Sequence, residues 1–195
     1  MKTKFNPFLR LSALALITAS FSQSALAATR TWSGTTNLTM DDSTNWGGFM
    51  PITTSEALID TSVLTVPTAL TLSSPTQAYG DLLINSPNLT SISATGTSNV
   101  LLTLSKGGGS TAAIAAGGAT GDLILLGTNV TAGTVTIGGG SGSGSLNLAL
   151  GATGGYLNVV NSGATLNVSS VISNTTAGYN LTKTGLGALL SLIHI

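Results

Sequence analysis

The stretch from Gly144 to Ser170, GSLNLALGATGGYLNVVNSGATLNVSS, decides the fold class of this chain. Apolar and polar residues alternate in its short runs, as in Leu146-Asn147-Leu148 and Thr165-Leu166-Asn167-Val168. A period of two places Leu and Val on one face of a strand and Asn and Thr on the other. The Gly, Asn and Ser residues between the runs favour turns. The stretch therefore predicts several short β-strands, each with one buried face.

The same pattern continues on both sides of this stretch, from about Ala57 onward. Further apolar-rich runs between turn residues read ALIDTSVLTV, TALTL, GDLLIN, NVLLTL, GDLILLG and GTVTIGGG. Two of them, Gly80–Ile84 (GDLLI) and Gly121–Leu125 (GDLIL), are similar and begin 41 residues apart. Because recurrence at a fixed spacing is typical of repeat architectures, this pair predicts two coils of a repeating structure.

The composition favours a folded β-protein. Charged residues make up only 6% of the chain, against roughly a quarter in typical globular domains. Hydrophobic residues make up 42%, which is more than a disordered chain carries. Long amphipathic helices need charged residues on their solvent-facing side, and this chain has few. The chain is therefore expected to fold without long helices.

Many short strands are compatible with a sandwich, a barrel or a solenoid. Between Lys106 and Lys183 the only charged residue is Asp122, so an exposed sheet edge there would lack the charges that prevent edge-to-edge pairing. A solenoid covers each rung with the next, and Asn and Thr can stack in ladders along it. We predict an all-β fold, a parallel β-solenoid of the right-handed β-helix kind, over residues 61–189.

The first 27 residues have the features of a signal peptide. Lys2, Lys4 and Arg10 form a positive region, Leu11–Ala19 an apolar run, and Ala25-Leu26-Ala27 an A-x-A cleavage site. The apolar run is shorter than the roughly 20 residues that cross a bilayer. We predict a cleaved signal peptide over residues 1–27, export through the secretory translocon to the outside or the cell surface, and no transmembrane helix in the mature part.

Residues 28–60 are predicted to form an N-terminal capping segment. They contain both tryptophans, Trp32 and Trp46. A stack of strands exposes its first rung unless another element covers it, and large aromatic side chains bury much area. The alternative is that the two indoles form a platform on which a sugar stacks.

Candidate chemistry is confined to carboxylates. The chain has no cysteine, and its one histidine, His194, is the second-last residue. Asp41 and Asp42 are the one acidic pair, and Glu56 and Asp60 are near them in sequence. Paired carboxylates can hydrolyse glycosides or bind calcium, but neighbouring residues on a strand point to opposite faces and an Asp-Asp pair is typical of solvated turns. We therefore predict no catalytic, cofactor-binding or metal-binding residue.

The charge balance disfavours nucleic acid as a partner. Without the signal peptide three basic residues remain against six acidic ones, a net charge of −3. Nucleic-acid-binding domains carry a basic surface that neutralises phosphates. The mature chain has no such excess.

The stretch Ser162–Leu192, SGATLNVSSVISNTTAGYNLTKTGLGALLSL, resembles the autotransporter-associated β-strand repeat, also called the passenger-associated transport repeat. The residues that match the family pattern are Ile172-Ser173, the LTKTG core at Leu181–Gly185, and Gly187. Leu186, Ala188 and Leu190 depart from the pattern, and its closing Ser-Gly is missing. The opening segment with TWSG and NWGG is also similar to the start of large secreted proteins with these repeats. The resemblance implies a β-helical passenger or cell-surface protein, usually much longer, that ends in an outer-membrane barrel or a sorting signal.

The last six residues, LSLIHI at 190–195, resemble the in-frame translation of a sequencing-library transposon adapter. We therefore expect the chain to be the N-terminal fragment of a longer protein, with an adapter-derived tail that includes His194.

Three functions follow from these observations. The first is a non-enzymatic exported structural protein for adhesion or surface display, whose partner is a host surface, a matrix surface or a polysaccharide. The second is a polysaccharide-degrading β-helix that uses Asp41, Asp42, Glu56 or Asp60. The third is a carbohydrate-binding module that uses Trp32 and Trp46. We predict the first.

Overall fold

The computed structural model describes residues 28–105, 111–151, 154–174 and 180–191. The predicted signal peptide and His194 lie outside these residues. Within them the fold is nearly all β, with one 3₁₀ turn (Ser43–Trp46) and one short helix, α1 (Thr111–Ala115). The predicted all-β class is confirmed.

Fifteen strands are present in the described residues. In chain order they are β1 (Ala28–Thr31), β2 (Ser55–Asp60), β3 (Thr68–Leu72), β4 (Thr76–Tyr79), β5 (Asp81–Asn85), β6 (Leu89–Thr95), β7 (Val100–Leu104), β8 (Asp122–Leu126), β9 (Ala132–Ser141), β10 (Leu146–Leu150), β11 (Gly155–Val159), β12 (Gly163–Val168), β13 (Ile172–Asn174), β14 (Leu181–Thr184) and β15 (Ala188–Ser191).

The strands pair in three parallel ladders. Ladder A has the order β1-β2-β5-β8-β11-β14, ladder B the order β3-β6-β9-β12-β15, and ladder C the order β4-β7-β10-β13. One antiparallel bridge, between Gly139 and Leu146, joins ladders B and C. From β2 onward the chain visits A, then B, then C, and returns to A one strand further along. One such pass is called a coil below.

The core lies between the three ladders. Alternate residues of most strands point inward and form one apolar cluster, for example Leu82 of ladder A, Ile92 of ladder B and Leu102 of ladder C. The predicted alternation is confirmed, because Leu146 and Leu148 are buried while Asn147 between them is partly exposed. The core therefore takes its side chains from every coil.

The two similar segments, GDLLI and GDLIL, lie side by side, as β5 and β8 of ladder A. Their register partners are Leu82 and Ile124, 42 residues apart, whereas Glu56 and Asp81 of the preceding coil are partners at a separation of 25. The longer coil contains α1 between ladder C and ladder A. The coils therefore share a path and differ in length, which is why the sequence shows only a weak period.

The capping segment extends the ladders by one incomplete coil. Its strand β1 pairs with β2, and Thr39 makes an isolated parallel bridge to Thr71 of β3. Strand β2 lies between β1 and β5, so the capping segment and the repeat region share ladder A. Trp32 and Trp46 belong to the core cluster, with exposed fractions of 1% and 4%.

Polar contacts hold the two indoles in place, and Trp32 Nε1 donates to the Thr39 carbonyl oxygen at 3.4 Å. Trp46 Nε1 donates to the Met40 carbonyl oxygen at 2.6 Å, and Tyr79 Oη donates to the same oxygen at 3.2 Å. The rings of Trp46 and Tyr79 are tilted, with centroids 6.1 Å apart. The predicted burial of the tryptophans is confirmed. The alternative of a sugar-stacking platform is wrong for these two indoles, because neither presents an open face.

Candidate functional site

Asp41, the first residue of the acidic pair, stabilises a turn through hydrogen bonds. Its Oδ2 accepts hydrogen bonds from the Ser73 amide at 2.6 Å, the Ser73 hydroxyl at 2.8 Å and the Ser74 amide. Burial by itself raises the pKa of Asp41, but these hydrogen bonds outweigh burial and lower it. Asp41 therefore stays ionised and holds the turn between β3 and β4.

Asp42 caps the 3₁₀ turn that follows it. Its Oδ1 accepts from the Thr44 hydroxyl at 2.6 Å and the Thr44 amide at 3.0 Å, and its Oδ2 accepts from Asn37 Nδ2 at 2.8 Å. The Thr44 hydrogen bonds, and then that of Asn37, lower the pKa of Asp42. The predicted turn role of the acidic pair agrees with these contacts.

The four predicted carboxylates do not form a hydrolytic pair. Asp41 and Asp42 are occupied as described, and Glu56 and Asp60 lie at opposite ends of β2. Four residues of strand separate their Cα atoms by about 13 Å, more than the roughly 5 to 9.5 Å between the carboxyl groups of glycosidases. The structure brings Glu56 together with two other acids instead.

Glu56, Asp81 and Asp122 form a group that we call the acid column. Glu56 and Asp81 are register partners on β2 and β5, and Asp122 begins the next strand of ladder A, β8. Glu56 and Asp81 lie on the outward face of the ladder, because the adjacent Ala57 and Leu82 point into the core. Asp122 is on the same side, because a register shift separates it from the inward Ile124 and its carboxylate meets the Ala119 amide outside the ladder. All three are nevertheless buried, with exposed fractions of 1%, 5% and 4%.

The column contains more acceptors than donors. Thr29 Oγ1 donates to Glu56 Oε1 at 3.2 Å. Asp122 Oδ2 accepts from the Ala119 amide at 2.8 Å and from Asn158 Nδ2 at 3.0 Å. Oδ1 of Asp81 and Oδ1 of Asp122 are buried without a hydrogen-bond partner. An unpartnered buried carboxylate oxygen is unfavourable, so the column is unsatisfied when all three acids are ionised.

The pKa of Asp81 is raised to about 7. Burial is the largest cause, followed by the charge of Glu56 and then that of Asp122. The column therefore takes up a proton near neutral pH. The sequence analysis named Glu56 as a candidate carboxylate but missed Asp81 and Asp122. Both are the second residue of the two similar segments that begin with Gly-Asp-Leu.

Residues 111–121, which we call the cover segment, lie against Asp122, the last acid of the column. They comprise α1 and the turn after it, and Ala113 and Ala116 pack on Leu83 and Leu125 of the outward face. The turn approaches very closely at Gly118, since a Cβ there would lie 2.9 Å from Asp122 Oδ2. The cover segment thus helps to bury Asp122 on the outward face of ladder A.

A groove of about 340 Å³ lies beside the cover segment. Asp60, Asn85, Thr128 and Asn129 form its polar side. Asn85 Nδ2 donates to Asp60 Oδ1 at 3.4 Å, and the Asn129 amide donates to Asn85 Oδ1 at 3.2 Å. Its apolar side consists of Leu58, Leu83, Ala112, Ala115 and Ala116. We call it the outer groove.

A second hollow, of about 470 Å³, lies at the first strand. The Arg30 guanidinium lies 5.4 Å from the centroid of the Phe49 ring, within cation–π range. Phe49 and Ile52 on its rim are exposed.

In the described ranges no group of three or more His, Cys, Asp or Glu side chains has an arrangement that could hold a metal ion.

None of the helical residues that the structure describes forms a stretch long and apolar enough to cross a bilayer.

Comparison of the chain with protein-family models, with curated proteins and with solved structures gives no match.

Proposed function

We propose that the mature chain is a right-handed parallel β-solenoid that serves an exported, non-enzymatic structural protein in adhesion or surface display. The observation that carries this proposal is the repeated passage through ladders A, B and C in one order. Each parallel pair satisfies backbone groups of the coil below, so the body can be extended coil by coil.

The outward faces support a structural role. The strands of ladders B and C contain no charged residue. The outward positions of ladder B carry hydroxyl and amide groups, at Thr71, Ser91, Ser93, Thr134, Thr136, Thr165 and Asn167. Asn167 Nδ2 donates to Thr136 Oγ1 of the preceding coil at 3.4 Å. Such a neutral polar surface suits contact with an uncharged, hydroxyl-rich partner.

The LTKTG core supports the proposed membership of the autotransporter-associated repeat family. Its strand β14 ends at Thr184, and Gly185 after it has φ +75°, where a Cβ would overlap the Val159 carbonyl oxygen of the preceding coil. Gly187 then donates its amide to that oxygen at 2.9 Å. A close contact between neighbouring coils thus explains both glycines of the motif.

Disulfide trapping tests the coil-to-coil register. Ser91 of β6 and Thr136 of β9 are register partners, at a Cα separation of about 4.8 Å for adjacent strands, within the range of a disulfide. The chain has no cysteine of its own. The double variant Ser91→Cys/Thr136→Cys should crosslink under mild oxidation, and Ser91→Cys/Thr165→Cys, which is not a register pair, should not. Equal crosslinking of both would rule out the solenoid register.

Export is tested separately. The full chain, with an epitope tag at its C-terminus, is produced in a Gram-negative bacterium and fractionated. Mass spectrometry should find the exported protein beginning at Ala28. Uncleaved protein confined to the cytosol would contradict export and leave the solenoid fold untouched.

The outer groove favours a second function, binding of a neutral carbohydrate. Its volume fits a small ligand, and Asp60, Asn85 and Asn129 offer donors and acceptors beside an apolar wall. Electrophoresis in gels containing polysaccharide should show retardation that Asn129→Ala reduces and Thr165→Ala does not. No retardation by a panel of plant, bacterial and host glycans would remove this candidate.

A further inference from the structure

The acid column has no part in the proposed structural role, and its burial calls for an explanation. Three carboxyl groups are buried, Asp122 among them against the cover segment, and two of their oxygens have no partner. Ionised carboxylates only accept hydrogen bonds, whereas a protonated one also donates. A single proton on Asp81 would supply a donor where the described side chains supply none.

The charged groups that act on Asp81 come from two neighbouring strands. Strand β2 contributes Glu56 and β8 contributes Asp122. On β1 the nearest side chain in the row is Thr29, while Arg30 lies over the Phe49 ring. The cover segment, TAAIAAGGATG, contains no titratable side chain. Lys106 lies outside the described residues. Asp81 thus faces two acids and no described base.

The cover segment is the element that can respond most easily. Its helix has five residues and is too short to be stable without tertiary contacts. Among the described side chains, its apolar contact with ladder A is made by small alanines, Ala113 and Ala116, on Leu83 and Leu125. The turn is fastened by the Ala119 amide, which donates to Asp122 Oδ2. Repulsion within the column therefore acts directly on the acid that holds the turn.

We propose that Glu56, Asp81 and Asp122 form a proton-operated latch, which keeps the cover segment closed when the column holds a proton and lets it open when the proton is lost. Opening exposes the apolar side chains Leu83 and Leu125 and enlarges the outer groove. Because the pKa of Asp81 is about 7, the latch works between mildly acidic and mildly alkaline pH. It does not depend on the proposed structural role.

Amide hydrogen exchange on the mature protein tests the latch. The reporters are the amides of Gly118, Ala119 and Thr128, which donate to Ala113 O, Asp122 Oδ2 and Ala116 O. After correction for intrinsic rates, their protection in the wild type should fall about tenfold between pH 6 and pH 8, since each pH unit above the pKa changes the proton-linked equilibrium tenfold. Amides of ladder B should keep their protection.

Asp81→Asn is the critical variant, because its amide is neutral at every pH and always carries a donor. Its cover amides should have the same protection at pH 6 and pH 8. Asp60→Asn, on the same outward face but outside the column, should behave as the wild type. An equal fall in the wild type and in Asp81→Asn would overturn the proposal, as would unchanged wild-type protection.

Two further measurements keep the test decisive. If Asp81→Asn does not fold, the carboxyl carbons of wild-type Asp and Glu are titrated by NMR: one inflection near pH 7 supports the latch, and inflections only below pH 5 overturn it. Exchange is also measured at pH 8 with calcium chloride and with EDTA. Full protection restored by calcium would show that a cation neutralises the column and would overturn the proton latch.

Discussion

Glu56 and Asp81 are register partners on neighbouring strands of ladder A, and both side chains are buried. Two adjacent buried acids disfavour each other's ionisation. This relationship has a consequence for the stability of the whole chain, because the folded state binds a proton that the unfolded chain releases.

The free energy of unfolding is expected to fall as the pH rises from about 4 to about 7. The pKa of Asp81 is about 7 in the folded state, above its ordinary value of 3.8, so the folded state holds more protons across this interval. By linkage, such a shift corresponds to roughly 2 to 4 kcal/mol, fully lost above pH 7. Denaturant unfolding at closely spaced pH values measures it. The free energy of unfolding of Asp81→Asn should be constant over this pH interval and higher than that of the wild type at pH 8. A wild-type protein whose stability rises between pH 4 and pH 7 would contradict the assignment.

Asp41 is expected to control the stability of the protein at low pH. Hydrogen bonds from Ser73 and Ser74 hold the pKa of Asp41 below its ordinary value, so its stabilisation is present above the unfolded pKa and is lost as the pH falls through the folded one. Asp41→Asn should therefore cost about 1 to 3 kcal/mol at pH 6, because an amide replaces a carboxylate acceptor of three hydrogen bonds. The same unfolding series measures this loss of stability. The free energy of unfolding of the variant should fall less steeply than that of the wild type as the pH is lowered. An unchanged loss of stability at low pH would show that another group controls it.

Trp32 caps the core, and its removal should destabilise the protein strongly. Replacing a buried aromatic residue by alanine costs about 3 to 5 kcal/mol, and Trp32→Ala leaves the first coil open. Phe49→Ala provides the control, since Phe49 is 66% exposed and its loss should cost little. Thermal unfolding followed by circular dichroism compares the two variants. Similar melting temperatures for both would contradict the capping role.

Gly185 is required by the contact between the last two coils. Gly185→Ala forces a side chain against the Val159 carbonyl oxygen at φ +75°, which should cost more than 1 kcal/mol and disrupt the pairing of β14 with β11. The matched control is Gly133→Ala, because Gly133 has φ +91° but open space around its Cα. Exchange protection of the Leu181–Ser191 amides should fall in the first variant and persist in the second. Equal losses would mean that backbone strain alone matters.

Much of the fold was predictable because it depends on local periodicity. The alternation at Leu146–Leu148 assigns the inner and outer faces of β10 without reference to any other residue, and the structure buries those two leucines as predicted. The similarity of the GDLLI and GDLIL segments predicted that β5 and β8 belong to equivalent places in successive coils, and they are neighbours in ladder A. Their one-residue difference in register was not predictable, because it depends on how the inserted α1 segment returns the chain to the ladder.

The candidate site was predictable only in part. Asp41 and Asp42 were expected in turns because an Asp-Asp pair in a polar stretch is a local signal, and they cap turns. Glu56 was named for the wrong neighbours: its partner is Asp81, 25 residues further along, rather than Asp60 on its own strand. The pairing of strands that are distant in sequence cannot be predicted from a short stretch of residues.

The sequence by itself determined that this chain forms short β-strands with one apolar face, because the side chains of a strand alternate whatever the strand pairs with. Only the tertiary structure decided that Asp81 and Asp122 are buried acids. On an isolated strand both would face water, whereas in the folded chain both are buried, and Asp122 lies against the cover segment that connects ladder C to ladder A. Burial and charge proximity are properties of the assembled coils, and they set the pKa on which the proposed latch depends.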